Sequence, residues 1–296
     1  MSFFNLKKTR ILRTEESFKQ YRIVKIFIKI FVSIIFPFNK VKRVNLRNNL
    51  LDYFKTKKCN FVFLNNFNVF NTPVFIISFN RLSYVKQMIM SCEKYGLRNI
   101  HIIDNHSTYS PLLNFYNTIP YKVYYMEKNY GHMVFWSSGY FDNFIEDAPY
   151  IVTDPDIEFN KNLPKNFIYE FYRLLGEYRN ITKVGFALEI NDLPNTEENK
   201  VVKDWEEKFW KKKLKDRLDI YNSDIDTTFA LYRPGKLFLK DSSFYTGIRV
   251  AGDYTSHHLP WYNSVIDQEE AFYQKSANKS ASWVHNFVVY KEKNHG

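Results

Sequence analysis

Several features are scarce in this chain of 296 residues. It has only 2 cysteines, Cys59 and Cys92, and neither lies in a CxxC or metal-ligand spacing, so we expect no disulfide framework and a reducing, cytoplasmic setting. Glycine is also rare, with 9 residues, and no internal repeat is evident. No uninterrupted apolar run approaches the ~20 residues that span a bilayer, and no small-residue cleavage site follows the first apolar segment, which argues against a membrane span and a signal peptide.

Apolar and aromatic residues are plentiful by contrast. Hydrophobic residues make up 45% of the chain and aromatic residues 19%, which is ample for a packed core. A chain of this length holds one large domain, or one domain with an appendage. We therefore expect a folded globular domain.

The positive charge is concentrated at one end of the chain. The formal net charge is +11, but residues 1–60 carry 15 Lys and Arg against 3 Asp and Glu, a net +12, while residues 61–296 carry 27 against 28, a net −1. A block of one sign at one end indicates contact with a polyanionic surface, either a membrane or a nucleic acid.

Within this basic arm, residues 21–38 combine basic and apolar side chains in a helical pattern that Pro37 ends. The polar residues follow a spacing of three, four and four, and they are Arg22, Lys25, Lys29 and Ser33. On a helix this spacing gives one narrow polar stripe, with Ile, Val and Phe around the rest. It predicts an amphipathic helix lying in the plane of an anionic membrane surface, with the contact spanning residues 19–47. The alternative is a helix packed on the protein's own core or on a partner subunit.

From Pro73 onward, short apolar runs alternate with helical patterns. The apolar runs are "PVFIISF", "NIHIID", "YKVYYME" and "YIVTD", and the helical stretches between them are "LSYVKQMIMSCEKYG", "SPLLNFYNTI" and "WSSGYFDNFIEDA". This rhythm predicts an α/β fold with right-handed βαβ units, that is, a Rossmann-like, mostly parallel sheet flanked by helices on both faces. Ser83 is predicted to cap the first helix and Gly96 to end it.

Polar residues follow each of the four apolar runs. They are Asn80 and Arg81, then 104–108, then 128–132, and finally 154–156. Ligands of such sheets bind beyond the carboxyl ends of the strands, so these groups are expected to converge on one rim.

The last of these groups, in "YIVTDPDIEFN", places Asp154 and Asp156 directly after a strand, with a proline between them. Carboxylates in this position can offer oxygens to a hard divalent cation that keeps positions open for phosphate oxygens. Such a cation neutralises the charge that develops on a departing diphosphate. The alternative is an ordinary Asp-Pro turn after a strand.

The segments "FIISFNRLSYVKQMI", "IIDNHSTYSPLLNFY", "NYGHMVFWSSG" and "YIVTDPDIEF", taken in order, resemble the nucleotide-diphospho-sugar-binding half of GT-A glycosyltransferases, most closely the family-2-like bacterial enzymes. The resemblance covers about residues 72 to 160. It implies a GT-A domain over 71–296, with a donor-binding half at 71–160 and an acceptor-binding and catalytic half at 161–296, after an arm at 1–70.

The resemblance also implies roles for particular residues. It implies that the donor is contacted by Asn80, Arg81, Asp104, Asn129, Gly131 and Asp154. It implies Mn²⁺ or Mg²⁺ as cofactor, held by Asp154 and Asp156. A late histidine supplies a further metal ligand in many members, which makes His258 and His257 of "HHLPW" the candidates.

The catalytic base is harder to place, because the "ED" dipeptide of inverting members is not found in its expected context. An inverting transfer needs a carboxylate to deprotonate the acceptor hydroxyl. We rank Asp253 first because His257, His258 and Trp261 lie near it in sequence, then Asp226 and Glu189, with Asp224 also in range. Upstream, the charged stretch 200–218 is predicted as a solvated helix with one apolar side, the alternative being an acceptor-binding lid.

Together these features predict a metal-dependent glycosyltransferase, of the hexosyltransferase type and inverting, with a UDP-sugar favoured as donor. The expected acceptor is a bacterial surface glycan, as in lipopolysaccharide or capsule synthesis, or a lipid-linked glycan, used at the cytoplasmic face of the membrane. No nucleic-acid partner is expected, because a near-neutral domain offers it no extended basic track. The open alternatives are a non-catalytic nucleotide-sugar-binding relative and a nucleic-acid-binding protein that acts through the basic arm.

Overall fold

The computed structural model describes residues 69–145, 148–235, 244–262 and 267–277, with nine further residues between 30 and 50. The chain divides into two compact units, Met1–Lys58 and Cys59–Gly296. In the first unit, the described residues at 30, 31 and 33–35 are helical, in agreement with the helix predicted over 21–38. The basic residues of that helix lie outside the described residues, as does Cys59. Among the helices described, none has the length and apolar character needed to cross a bilayer.

The second unit alternates strands and helices through its first half. The strands are β1 (Val74–Ser78), β2 (Ile100–Asp104), β3 (Lys122–Tyr125), β4 (Tyr150–Thr153), β5 (Ile157–Phe159), β6 (Lys183–Phe186), β7 (Lys213–Leu214), β8 (Ile220–Asp224), β9 (Ala230–Tyr232), β10 (Thr246–Val250) and β11 (Ser256–His258). The α-helices are α1 (Leu82–Lys94), α2 (Ser110–Tyr116), α3 (Val134–Ser137), α4 (Asp142–Ile145), α5 (Phe167–Glu177), α6 (Glu197–Glu206) and α7 (Gln268–Ser276).

The central sheet has nine strands within the described residues, in the order β3-β2-β1-β4-β9-β6-β10-β8-β7. The first four strands pair in parallel. β9 is antiparallel to β4 and β6, β10 is parallel to β6, and β8 is antiparallel to β10 and β7. All strands except β8 and β9 therefore run in one direction, which confirms a mostly parallel sheet. Because the chain moves outward from β1 to β3 and returns to β4 on the other side of β1, a crevice is expected where the β1 and β4 loops diverge.

Hydrophobic residues cover both faces of the sheet. Along β1, Val74 and Ile76 pack into one cluster with α1 and α5, while Phe75 and Ile77 pack into a second cluster with α3 and α4. Alternate residues of a strand point to opposite faces, so the two clusters lie on opposite sides. Every residue of β1 is buried, as expected for a strand inside a sheet with helices on both faces.

Helix α1 shows how a distant segment fixes a local element. Its start is not capped by Ser83 as predicted: the N-cap is Arg81, which makes no side-chain cap. The carboxylate of Glu269 instead accepts hydrogen bonds from the N–H groups of Leu82, at 2.9 Å, and Ser83, at 3.0 Å. After α1, Gly96 has φ +79, which agrees with its predicted role at the end of this helix.

The charged stretch predicted as one helix over 200–218 is only partly helical. It forms the end of α6 and a 3₁₀ turn, Glu207–Trp210, and then enters strand β7. The physical reason lies in a buried ion pair, because Arg249 donates to Glu206 at 2.7 Å and lies 4.0 Å from the ring centroid of Phe209. These contacts hold the end of α6 against β10, and the chain then pairs with β8.

The segment between β8 and β9 lies flat against the sheet because two glycines allow it. A Cβ at Gly185 would come within 2.6 Å of the Phe229 carbonyl oxygen, and a Cβ at Gly247 within 2.8 Å of Ile225. At Gly185 the obstacle is a backbone oxygen, which leaves no room for a side chain, whereas at Gly247 the end of the Ile225 side chain would have to shift. The segment thereby delivers Asp226 and Thr227 next to the carboxyl end of β4.

Candidate active site

A small two-stranded antiparallel sheet brings the predicted metal ligands together. Strand β5 follows the two aspartates and pairs antiparallel with β11, so that Ile157 lies opposite His258. The N–H of Leu259 also donates to the carbonyl oxygen of Asp156, at 2.9 Å. Residues about 100 positions apart in sequence are thus adjacent at the carboxyl end of β4.

Asp156 and His258 form the centre of the site. The Asp156 side chain is only 10% exposed, and its Oδ2 accepts a hydrogen bond from Arg81 Nη1 at 3.3 Å. Its Oδ1 lies 3.7 Å from His258 Nε2 and has no hydrogen-bond partner among the described residues, as is also true of His258 Nδ1. Burial lowers the pKa of His258, which keeps the imidazole neutral at physiological pH. Unpaired buried polar atoms are costly, so this arrangement calls for an explanation.

Asp154 lies on the other side of the same turn. Its N–H donates to the Thr227 carbonyl oxygen at 2.8 Å, and its carboxylate accepts a hydrogen bond from the Thr227 hydroxyl. Burial raises the pKa of Asp154 well above its usual range, and the neighbouring carboxylates of Asp156 and Asp226 raise it further, against the opposing effect of the Thr227 hydrogen bond. Three carboxyl groups therefore meet where β4 ends.

These residues fit a divalent cation in part. No group of three or more His, Cys, Asp or Glu side chains in the described ranges is close enough to enclose a metal by itself. The unpaired Oδ1 of Asp156 and the neutral Nε2 of His258 nevertheless face each other, and both are suited to coordinate a cation such as Mn²⁺. Two protein ligands would leave most coordination positions open for oxygens of a bound molecule.

The structure separates the two candidate histidines. His257 points to the opposite side of the two-stranded sheet, as alternation along β11 requires. Its Nδ1 lies 3.3 Å from Glu158 Oε2, and its Nε2 lies 3.0 Å from Asp192 Oδ2. The structure therefore places His257 beside Glu158 and Asp192, apart from the paired aspartates with which the sequence analysis grouped it.

A cavity of about 380 Å³ lies beside this centre, at the ends of β1, β2 and β3. It contains two of the residues expected to contact the donor and four others, and its lining comprises Phe79, Asn80, His106, Thr108, Asn129 and Ser276. A larger cavity of about 480 Å³ is lined by Thr246, the first residue of β10, and by Ile181, just before β6. It therefore lies at the amino ends of these two strands. Only the first cavity is near the carboxylates.

Asn80 organises the wall of the first cavity. It has φ +51, an unusual conformation for a residue other than glycine, which turns the chain sharply after β1. Its Oδ1 accepts hydrogen bonds from the N–H groups of Thr108, at 2.7 Å, and Tyr109, at 3.0 Å, and its Nδ2 donates to Ser276 Oγ at 2.9 Å. Asn80 thus ties the loops after β1 and β2 to α7.

Two other predicted donor contacts support the loops rather than line the cavity. Asp104 is buried, and its oxygens accept hydrogen bonds from the Tyr116 hydroxyl at 3.1 Å and the Ser107 N–H at 3.0 Å. Gly131, at φ +76, donates its N–H to Asn129 Oδ1 at 2.8 Å. Asn105 links Asn129 to Gly131, because its Nδ2 donates to Asn129 Oδ1 and to the Gly131 carbonyl oxygen, each at 2.9 Å.

Arg81 is held on two sides. Besides Asp156, it makes three hydrogen bonds of 2.9 to 3.1 Å with Glu270 of α7, and the ring centroid of Tyr273 lies 3.5 Å from its guanidinium carbon. Burial alone would lower the pKa of Arg81, but Asp156, Tyr273 and Glu270 outweigh that effect and raise it. Arg81 is therefore a fixed positive charge beside the paired aspartates.

The three highest-ranked candidates for the catalytic base, Asp253, Asp226 and Glu189, occupy different surroundings. Asp226 is half-exposed, and its Oδ1 lies 4.0 Å from His132 Nε2. Asp253 is exposed in a 3₁₀ turn whose next residue, Tyr254, packs on the core side of α5. Glu189 Oε1 accepts hydrogen bonds from its own turn, at 3.1 Å from the Ile190 N–H and 2.9 Å from that of Asn191. Of the three, Asp226 is the one whose charge affects the pKa of Asp154, whereas Asp253, ranked first from the sequence, lies in a separate exposed turn.

Several site residues had no clear sequence signal. His106 lies in the "DNHST" loop and has φ +71, but a lone histidine in a polar loop predicts nothing specific. Thr227 and Glu270 act through contacts with residues 73 and 189 positions away. The sequence of α7, "QEEAFYQKS", is that of an ordinary polar helix.

Comparisons with known proteins add no relative. No protein-family model matches the chain, and no curated protein matches it with significance. The functional conclusion depends on the site itself.

Proposed function

We propose that this protein is a metal-dependent glycosyltransferase of the GT-A type, which transfers a sugar from a nucleotide diphosphate donor. One observation carries the proposal: Asp156 Oδ1 is buried without a hydrogen-bond partner among the described residues and lies 3.7 Å from His258 Nε2, at the strand-switch crevice. Structures retain such costly arrangements where a ligand satisfies them. A cation together with a diphosphate would satisfy both atoms.

The cavity supports the nucleoside part of this proposal. Its volume of about 380 Å³ is in the range of small-molecule sites. Asn80 and Asn129 offer amide groups at its wall, and Phe79 offers an aromatic ring. We infer that the nucleoside occupies this cavity and that its diphosphate extends toward Asp156.

Asp156 and His258 would hold the metal ion, with Asp154 as the second carboxylate of the pair. A bound Mn²⁺ or Mg²⁺ supplies neutralisation of the charge that develops on the departing diphosphate. Arg81 fixes the orientation of the Asp156 carboxylate through Oδ2 and leaves Oδ1 directed toward His258. A cation bound nearby would oppose the rise in the pKa of Asp154 that burial and the neighbouring carboxylates cause, and it would favour the ionised form of this residue.

For an inverting transfer, Asp226 is the base that the structure favours. It accepts the proton of the acceptor hydroxyl while that oxygen bonds to the anomeric carbon and the bond from this carbon to the diphosphate oxygen breaks. Asp226 is half-exposed, so an acceptor can reach it, and its charge raises the pKa of Asp154. His132, 4.0 Å away, is placed to orient the carboxylate.

A thermal unfolding screen tests the donor assignment. Purified protein is heated with UDP, GDP, CMP or dTDP, in Mn²⁺ and then in EDTA, because a ligand that binds only the native state raises stability. We expect stabilisation by one nucleotide that depends on the metal, with UDP favoured. No response to any nucleotide would overturn the proposal, and binding without turnover of any sugar donor would indicate a binding protein instead.

A surface glycan or lipid-linked acceptor at the membrane is the second part of the proposal, and the basic arm supports it. In its own unit, Ile30, Phe31, Ile34 and Ile35 are helical and between 44% and 71% exposed. Exposed apolar side chains within a basic segment are typical of helices that lie on anionic membranes. The full chain should therefore float with vesicles that contain phosphatidylserine. Phe31→Glu should reduce flotation, while equal flotation with neutral vesicles would contradict the anionic surface.

A further inference from the structure

Helix α7 lies across the loops that follow β1 and β2, although no residue of it is fully buried. Asp267 caps it by accepting a hydrogen bond from the Glu270 N–H at 2.8 Å. Its attachment combines hydrogen bonds with aromatic contacts, of Phe272 with Tyr109 and of Tyr273 with Phe79, and Ser276 at its end lines the cavity. A helix that buries so little is held by its specific contacts, so each contact can be examined for a role.

Glu270 makes the most directed of these contacts. Its two oxygens accept three hydrogen bonds from Arg81, from Nε at 3.1 Å and twice from Nη2 at 2.9 Å. The Tyr273 ring covers the guanidinium at 3.5 Å. A planar guanidinium that is gripped along one edge and stacked on one face has little rotational freedom.

The remaining nitrogen of Arg81 faces the metal-binding aspartate. Nη1 donates to Asp156 Oδ2 at 3.3 Å, and both side chains are 10% exposed. With Oδ2 held in this way, Oδ1 is directed toward His258 Nε2. Without Glu270, Arg81 could turn toward Asp156 as a bidentate partner and occupy both of its oxygens.

We propose that Glu270 is a positioning residue of the donor site: it holds Arg81 so that one oxygen of Asp156 stays available for the cation. This inference rests on the proposed function, because it assigns Glu270 a task only if Asp156 binds a metal. It extends the site to a helix near the carboxyl end of the chain, which the cavity and the strand ends alone do not identify.

Glu269 provides a matched control. It is the neighbouring residue in the same turn of α7, and it also binds the β1–α1 junction, but through the N–H groups of Leu82 and Ser83 rather than through Arg81. Loss of Glu269 weakens the docking of α7 without releasing Arg81. The two glutamates thus separate docking from positioning.

The test is a titration of the full chain with Mn²⁺ alone, in which electron paramagnetic resonance measures free Mn²⁺, for wild type, Glu270→Ala and Glu269→Ala. We expect Glu270→Ala to weaken Mn²⁺ binding by about tenfold, the size seen for residues that orient metal ligands, and Glu269→Ala to change it by less than about threefold. Thermal unfolding in EDTA should show similar losses for both variants. If Glu270→Ala fails to fold, Glu270→Gln, which keeps the size but loses the charge, takes its place.

The outcomes are distinguishable. If wild type binds neither Mn²⁺ nor a nucleotide with Mn²⁺, the proposed function fails and this inference fails with it. If wild type binds and the two alanine variants are weakened equally, α7 acts only by docking and the positioning role is overturned. Unchanged binding in Glu270→Ala would overturn it as well.

Discussion

Two clusters of histidine and carboxylate side chains lie on opposite sides of the two-stranded sheet formed by β5 and β11. The inner cluster consists of Asp154, Asp156 and His258, and the outer cluster consists of Glu158, Asp192, His257 and Tyr262. In the inner cluster, Asp156 Oδ1 and His258 Nδ1 are buried without hydrogen-bond partners in the part of the chain that the structure describes. In the outer cluster, both ring nitrogens of the histidine face carboxylates at 3.3 and 3.0 Å.

The difference teaches that composition does not identify a site. Both clusters contain one histidine and two carboxylates, and their histidines, His257 and His258, are adjacent residues of β11. The outer cluster satisfies itself and is partly in water, so its structure needs no ligand. The inner cluster combines burial, like charges and unpaired atoms, which is a state that a bound cation would stabilise.

The largest expected effect is the loss of Asp156. Asp156→Asn should weaken Mn²⁺-dependent nucleotide binding by at least about 100-fold, because it removes a charged ligand rather than a group that orients one. Calorimetric titration with UDP and Mn²⁺ measures this. Glu158→Gln, the matched change in the outer cluster, should leave the affinity within about twofold, and an equal loss in both variants would break the comparison.

The two histidines provide the next contrast. His258→Ala should weaken Mn²⁺ binding by about tenfold or more, since it removes a neutral imidazole from the ligand set. His257→Ala should not change the affinity, because its ring faces Glu158 and Asp192. Titration of both variants decides between them, and a larger loss in His257→Ala would reverse the assignment.

Replacement of Asp154 should stabilise the fold, although this residue is proposed to serve the function. Its folded-state pKa is raised above the ordinary value of 3.8, so its stabilising contribution is complete below that value and is lost as pH rises through the folded-state pKa. At pH 7.5 without metal, Asp154→Asn should therefore raise the free energy of unfolding by about 0.5–2 kcal/mol, and stability should fall less with pH than in wild type. Chemical denaturation at pH 5 and pH 7.5 measures both, and a less stable variant at pH 7.5 would contradict the account.

The smallest effect is expected in the outer cluster. The Tyr262 hydroxyl donates to Asp192 Oδ1 at 2.7 Å, on the exposed side of the two-stranded sheet. Tyr262→Phe should cost no more than about 1 kcal/mol of unfolding free energy, as for other partly exposed polar contacts, and should leave nucleotide binding unchanged. Denaturation and a UDP titration test this, and weakened binding would show that the outer cluster belongs to the site.

Sequence patterns predicted the first half of the fold well. The apolar runs predicted β1 to β4: β1, β2 and β4 are almost entirely buried, and the edge strand β3 is partly exposed. The polar groups that follow all four strands do meet near one rim. The prediction of a helix over 200–218 was wrong for the second part of this stretch, since Lys213 and Leu214 pair with β8. Helical periodicity does not encode such a contact.

The site was predictable only where its residues follow strands. Asp154 and Asp156 could be proposed from their position after an apolar run. The difference between His257 and His258 depends on the pairing of β11 with β5, and the roles of Thr227 and Glu270 depend on contacts over long sequence separations. Local sequence carries no information about such pairings.

One measurement tests the central claim most directly: anomalous X-ray scattering from crystals of the full chain grown with Mn²⁺ and UDP. The account predicts a manganese peak within about 2.0–2.6 Å of Asp156 Oδ1 and His258 Nε2, with the diphosphate completing its coordination. A peak at His257 and Asp192, or a nucleotide bound away from Asp156 with no manganese beside it, would contradict the account.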